Sequence, residues 1–193
     1  MPRKPLPVLA LLLLAASSTA HAQNRLRFEL RAGGAFAVEK LGDASLGAGA
    51  GFEATAGYRI QPHLSVYAGW DWHRFTADAS FAGNKNDFEE SGYVAGLQFQ
   101  HPIGIEGLAL QLRAGGTYNH VEIENSAGDR VADSKHGLGW EVGAGLAVRL
   151  GNRWQLTPGA RFRSLSRDFT IGAVTTPGRL RYLAVDMGIS RSL

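Results

Sequence analysis

The side chains able to do chemistry in this 193-residue chain fall at a few spacings. His63-Leu64-Ser65 sets an imidazole and a hydroxyl two residues apart. On a strand that spacing puts both on one face, where a histidine can act as a base toward a serine. Asp71 and His73 share the same spacing and offer an acid–base pair or half a metal site. A buried hydrogen-bonded network is the reading favoured for them. His120 and His136 are two imidazoles with no third protein ligand in view, which is thin for zinc. Gly47-Ala-Gly-Ala-Gly51 resembles a phosphate-cradling loop but lacks the required spacing and a following helix. It reads as a flexible lead into a strand. Asn125-Ser-Ala-Gly-Asp129 is a loop-tip turn signal. No cysteine is present, which excludes a disulfide scaffold, a thiolate metal site and a thiol nucleophile. These spacings predict no catalysis, no cofactor and no bound metal.

Composition narrows the class. The chain carries 20 Lys+Arg against 17 Asp+Glu. Two of the cations, Arg3 and Lys4, stand before an apolar run at 6–16 that ends in Ala20-His21-Ala22. Basic start, short apolar run and small-x-small site predict a cleavable signal peptide at 1–22, with a mature domain at 23–193. The apolar run is too short for a helical span, which needs ~20 residues. The remaining charge is nearly balanced and no basic block occurs, so no nucleic-acid partner is expected.

The mature chain is dominated by period-two alternation. Eight runs show it: 25–38, 48–60, 64–75, 90–100, 108–120, 137–150, 154–164 and 180–193. Alternation of this length predicts strands. Each run reaches the ~9–11 residues that a tilted strand needs to cross a bilayer. Links at 61–63, 101–107 and 151–153 are short, whereas 39–47, 76–89, 121–136 and 165–179 are long and polar. Short turns on one side and long loops on the other predict an all-β fold. The expected form is an eight-stranded, antiparallel, up-and-down transmembrane β-barrel with both termini at the periplasmic side.

Which face meets lipid follows from where the small and charged residues fall. Most strand glycines share the charged face, as a narrow lumen requires. That face is expected to point inward with Arg27, Glu29, Arg31, Glu53, Arg59, Asp71, His73, Arg113, Glu141, Arg149, Arg161, Arg163 and Asp186. Eight strands leave an interior that side chains fill. Charges buried there must pair, which predicts a salt-bridge plug. A gated ion path is the alternative. The apolar face carries Tyr58, Phe99 and Trp154 near the short turns, and Trp70, Trp72, Tyr93, Tyr118 and Trp140 toward the long loops. Two aromatic girdles at headgroup depth are expected.

The segment FEATAGYRIQPHLSVYAGW at 52–70 resembles the hairpins of small eight-stranded outer-membrane barrels, the OmpA/OmpX and opacity-protein-like group. The resemblance implies an outer-membrane address, contact with outer-membrane lipid and lipopolysaccharide, and insertion by the barrel-assembly machinery. It also implies a structural or surface-interaction role such as adhesion or protection, with any surface ligand held by the long loops. Such barrels are rarely lipid-modifying enzymes, and a lipid A-modifying enzyme is the second alternative after the ion path. A monomer is expected. Such barrels usually end in an aromatic residue; here Leu193 keeps the outward parity instead. Lipid A deacylase barrels pair His and Ser on one strand face. The His63–Ser65 match falls at an expected periplasmic turn, away from the outer leaflet, and so reads as a turn histidine and a lumen hydroxyl.

Overall fold

A computed structural model describes residues 25–171 and 173–193. The expected leader at 1–22 lies outside them. The strands are β1 (Leu26–Ala37), β2 (Ala48–Gln61), β3 (Leu64–Ser80), β4 (Gly83–Pro102), β5 (Leu108–Glu124), β6 (Arg130–Asp133), β7 (Gly137–Arg149), β8 (Trp154–Ile171) and β9 (Val174–Ser192). All pairings are antiparallel, and β1 pairs with both β2 and β9. With β4 against β5 and β5 against β7, eight strands close into a ring with no free edge. The ninth, β6, is a four-residue strand that pairs with the top of β5, where β7 has ended.

Two of the expected long loops are strand. The stretch 76–89 continues β3 to Ser80 and restarts β4 at Gly83, and 165–179 continues β8 to Ile171 and starts β9 at Val174. The turn after β3 is tight, and Gly83 sits there at a φ of 122°, which side chains rarely adopt. The stretch 121–136 is partly strand as well. Asn125 turns the chain by accepting the backbone N–H groups of Ala127 and Asp129, each at 2.9 Å. Only 39–47 stays largely irregular, closed by a bridge between Leu41 and Ala44.

The reason for the misplaced boundaries is a swap in the sense of alternation. On the lower part of β9, Leu183, Val185, Met187 and Ile189 point outward and are exposed, while Asp186 and Ser190 are buried. Further up the same strand Arg179 and Arg181 point outward and Leu180 and Tyr182 are buried. β3 swaps likewise, from outward Trp70 to outward Arg74 and inward Phe75 and Ala77. The lower barrel is therefore apolar outside and polar inside, as lipid demands. The upper barrel is polar outside and apolar inside, as water demands.

Candidate functional site

The lumen has two layers. The lower one is an ion-pair network built from alternate positions on all eight strands of the ring. Arg163 on β8 is fully buried and meets four carboxylates: Asp71 at 2.7 Å, Glu141 at 2.8 Å, Glu53 at 3.1 Å and Glu90 at 3.4 Å. Arg161 binds Glu53 and, at 2.8 Å, Asp186. Arg31 continues the chain to Asp186 at 2.8 Å and Glu29 at 2.7 Å, and Arg113 joins Glu53 at 2.8 Å. Tyr67 donates to Glu141 at 2.7 Å, and its ring lies 4.1 Å beneath the Arg113 guanidinium. A Cβ on Gly115 would stand 2.5 Å from the Tyr67 hydroxyl and one on its cross-strand partner Gly96 2.7 Å from it, so the tyrosine reaches across the lumen into space that these two glycines leave open.

Charge nearly balances within this layer. Arg31, Arg113, Arg161, Arg163 and Arg167 are buried with Glu29, Glu53, Asp71, Glu90, Glu141 and Asp186. The extra carboxylate is met by neutral donors: Tyr182 gives its hydroxyl to Glu90 at 2.5 Å, and Asn119 bridges Glu90 at 2.6 Å and Asp71 at 2.9 Å. Beside the network, lumen cavities lined by Arg31, Gln111 and Arg113, and by Arg27, Ser65 and Gln98, measure about 10 Å³ each. That is room for about one water apiece.

The upper layer is apolar. Phe75, Phe88, Val121, Ile123, Leu165, Phe169, Leu180 and Tyr182 fill the ring, and Leu41 and Ala44 from the β1–β2 loop are buried with them. Phe81, at the β3–β4 turn, packs on Phe169 with ring centroids 5.5 Å apart. The barrel is thus closed by ion pairs below and by hydrocarbon above.

Of the expected lumen charges, Arg31, Glu29, Glu53, Asp71, Arg113, Glu141, Arg161, Arg163 and Asp186 lie in the network. Arg27 is half-buried and donates to Gln100 at 2.8 Å. His73 is buried against the Tyr182 ring, 5.1 Å between centroids, while Asp71 bonds to Arg163 and Asn119; neither serves the other. Arg59 and Arg149 are corrections: both have inward parity but sit at the short-turn end, where the ring opens and they are exposed. Parity gives a direction, not a depth. Tyr67, Glu90, Asn119, Arg167 and Tyr182 are members the sequence reading did not include. The parity of Gly92, Gly96 and Gln98 points to Glu90, whereas Arg167 falls in a segment read as loop. Its guanidinium caps the carbonyls of Asn119 at 2.8 Å and Leu138 at 3.0 Å.

On the outside, Tyr58, Trp70, Tyr93, Phe99, Tyr118, Trp140 and Trp154 are exposed, and Trp72 is half-buried with its indole N–H given to Glu89 at 3.1 Å. His63 is exposed at its turn, with Nδ1 2.9 Å from the Gln100 carbonyl, and Ser65 lines a lumen cavity. His120 and His136 do come together, stacked at 4.3 Å. Glu122 and Asp133 bring carboxylates to within 4.8 Å of the His120 ligand atom. The Arg130 guanidinium already faces both, at 3.0 Å from Glu122 and 3.6 Å from Asp133. Gly47–Gly51 leads into β2 without a helix.

No curated protein matches the sequence. Among solved structures, the fold is similar to the neisserial surface protein NspA, with TM-score 0.64 and 21% identity over 87% of this chain and 97% of that one. It is also similar to AlkL, an outer membrane protein, with TM-score 0.56 and 18% identity over 89% and 91% of the two chains. OprG from Pseudomonas aeruginosa gives TM-score 0.53 and 13% identity over 89% and 95%. These likenesses concern the fold. The Outer membrane protein beta-barrel domain family matches residues 8–177. A closed ring of eight strands, apolar where it faces lipid, together with that match over most of the sequence, places the chain in the outer membrane protein beta-barrel domain family.

Proposed function

We propose that this protein is a sealed barrel that acts at the cell surface and not a conduit. The carrying observation is the two-layer closure, in which a ring of paired charges is overlaid by a packed apolar core. An ion crossing the lumen would have to break buried pairs and then enter hydrocarbon, and each step is opposed by several kcal/mol. The long-strand end is the extracellular one, and both termini of the mature barrel are periplasmic. Its polar exterior on β3–β5 and β8–β9 then stands clear of the membrane as a rigid platform for a surface ligand. Outer-leaflet lipopolysaccharide surrounds the aromatic rows below it, and the barrel-assembly machinery inserts the chain as a monomer. The neisserial neighbour is itself named a surface protein, which agrees with this reading. The experiment is planar-bilayer recording of the purified barrel. No conductance steps are expected from the folded protein, and reproducible steps would overturn the sealed-barrel reading.

A further inference from the structure

Ser91, His120 and Asp133 form a hydrogen-bonded chain on the outward face of the barrel. Ser91 on β4 and His120 on β5 are direct cross-strand partners. Ser91 Oγ is 3.0 Å from His120 Nε2, and His120 Nδ1 is 3.1 Å from Asp133 Oδ1 on β6. An ionised carboxylate only accepts, so the proton belongs on Nδ1, and Nε2 is free to accept from the serine hydroxyl. The parallel His136 ring, 16° from that of His120, backs the imidazole. Burial pushes the Asp133 carboxyl up, but the Lys135 backbone N–H and His120 outweigh it and hold the group below its ordinary value. Nucleophile, base and orienting acid therefore stand in the order by which hydrolytic triads are recognised from geometry.

Depth adds a second observation. In the row above, Arg74, Glu89 and Glu122 are partners; in the row below, Trp70, Tyr93 and Tyr118 are partners. The chain thus lies at the border between a charged row and an aromatic one, where rings sit among lipid headgroups. The ester bonds of membrane lipids lie at this depth. On the membrane side of the triad begins a shallow apolar groove that follows the outer wall from Leu138 and Tyr118 round to Trp154 and Leu193 at the short-turn end. Trp70, Tyr93 and Tyr118 are its wall nearest the triad, and Ala95 and Gly116 contribute to its floor. It is on the face that lipid covers, so its occupant is an acyl chain.

We propose that Ser91, His120 and Asp133 hydrolyse an acyl ester of an outer-leaflet lipid whose chain lies in this groove. The choice of leaflet rests on the orientation given above. Ser91 Oγ bonds to the ester carbonyl carbon as its proton passes to His120 Nε2. The C–O ester bond then breaks, and that proton leaves with the alcohol. Water adds to the acyl-serine, giving its proton to Nε2, and the fatty acid departs as the proton returns to Ser91 Oγ. Asp133 is a positioning residue that holds the imidazole in the required tautomer.

The test uses the full chain folded into vesicles, in one arm of phosphatidylethanolamine and in the other containing lipid A. Free fatty acid is measured by mass spectrometry and Ser91 is probed with a fluorophosphonate. Labelling at Ser91 and fatty-acid release in at least one arm are expected, and the productive arm names the lipid. Ser91→Ala should abolish both signals, and His120→Asn should slow release by about 10²-fold or more. Asp133→Asn should lower kcat, leave KM unchanged and move the pH profile. Ser166→Ala, outward on β8, should change nothing, and heat-dependent gel mobility reports that every variant is folded. A folded barrel with no label and no release in either arm overturns the proposal, as does release that survives Ser91→Ala. Neither failure touches the sealed-barrel reading, since conductance tests that separately.

Discussion

Glu141 accepts from Tyr67, Arg113 and Arg163 at once, at 2.7, 3.3 and 2.8 Å. Truncating it leaves buried guanidinium groups short of a partner. Glu141→Ala is therefore expected to cost roughly 3–5 kcal/mol, less whatever lumen water recovers. Urea unfolding of the barrel in vesicles, followed by tryptophan fluorescence, measures this; an unchanged midpoint would contradict the network at that residue. Much of this layer was legible because parity sorts charges by face: Arg31, Glu53, Arg113, Glu141 and Arg163 all follow from it. Depth was not legible, which is why Arg59 and Arg149 were placed in the plug. The Ser91–His120–Asp133 chain was hidden for another reason. Its members come from three strands, and their meeting depends on register, which the sequence does not display.

At the scale of the element, β7 shows both faces side by side. Val142 is outward and exposed, while a Cβ on Gly143 would stand 2.7 Å from Arg161 Cγ. Val142→Leu should be nearly silent, and Val142→Arg should cost about 2–4 kcal/mol near mid-membrane. Gly143→Leu must displace Arg161 from Glu53 and Asp186, and about 1–3 kcal/mol of overpacking is expected. Reversible unfolding in vesicles compares the three; a tolerant Gly143 with an intolerant Val142→Leu would reverse the facing. The upper β8 offers a complementary case. Phe169 is fully buried between strands that the sequence read as loop, and Phe169→Ala should cost roughly 3–5 kcal/mol. A loss within error of zero would mean that the upper hairpins are not a packed core. These extensions escaped the sequence reading because a rule that keeps apolar residues on one face stops where solvent changes from lipid to water.

For the whole molecule, strand number and closure followed from the eight alternating runs, with β6 the one addition. Orientation is tested by epitopes: one after Gly128 should be labelled on intact cells, and one at Asn152 only after permeabilisation. The central claim is that a single barrel stands in two solvents, with its lower outside wall in lipid and its upper outside wall in water. β9 crosses the border between Arg181 and Leu183, and the chain has no cysteine to interfere with labelling. The most direct measurement is electron paramagnetic resonance of single spin-labelled cysteines at 175, 179, 181, 183, 185, 187 and 189 in vesicles. Relaxation by oxygen should dominate at 183–189, and relaxation by a water-soluble nickel chelate should dominate at 175–181. Chelate access at 183–189, or oxygen dominance continuing through 179, would contradict the account.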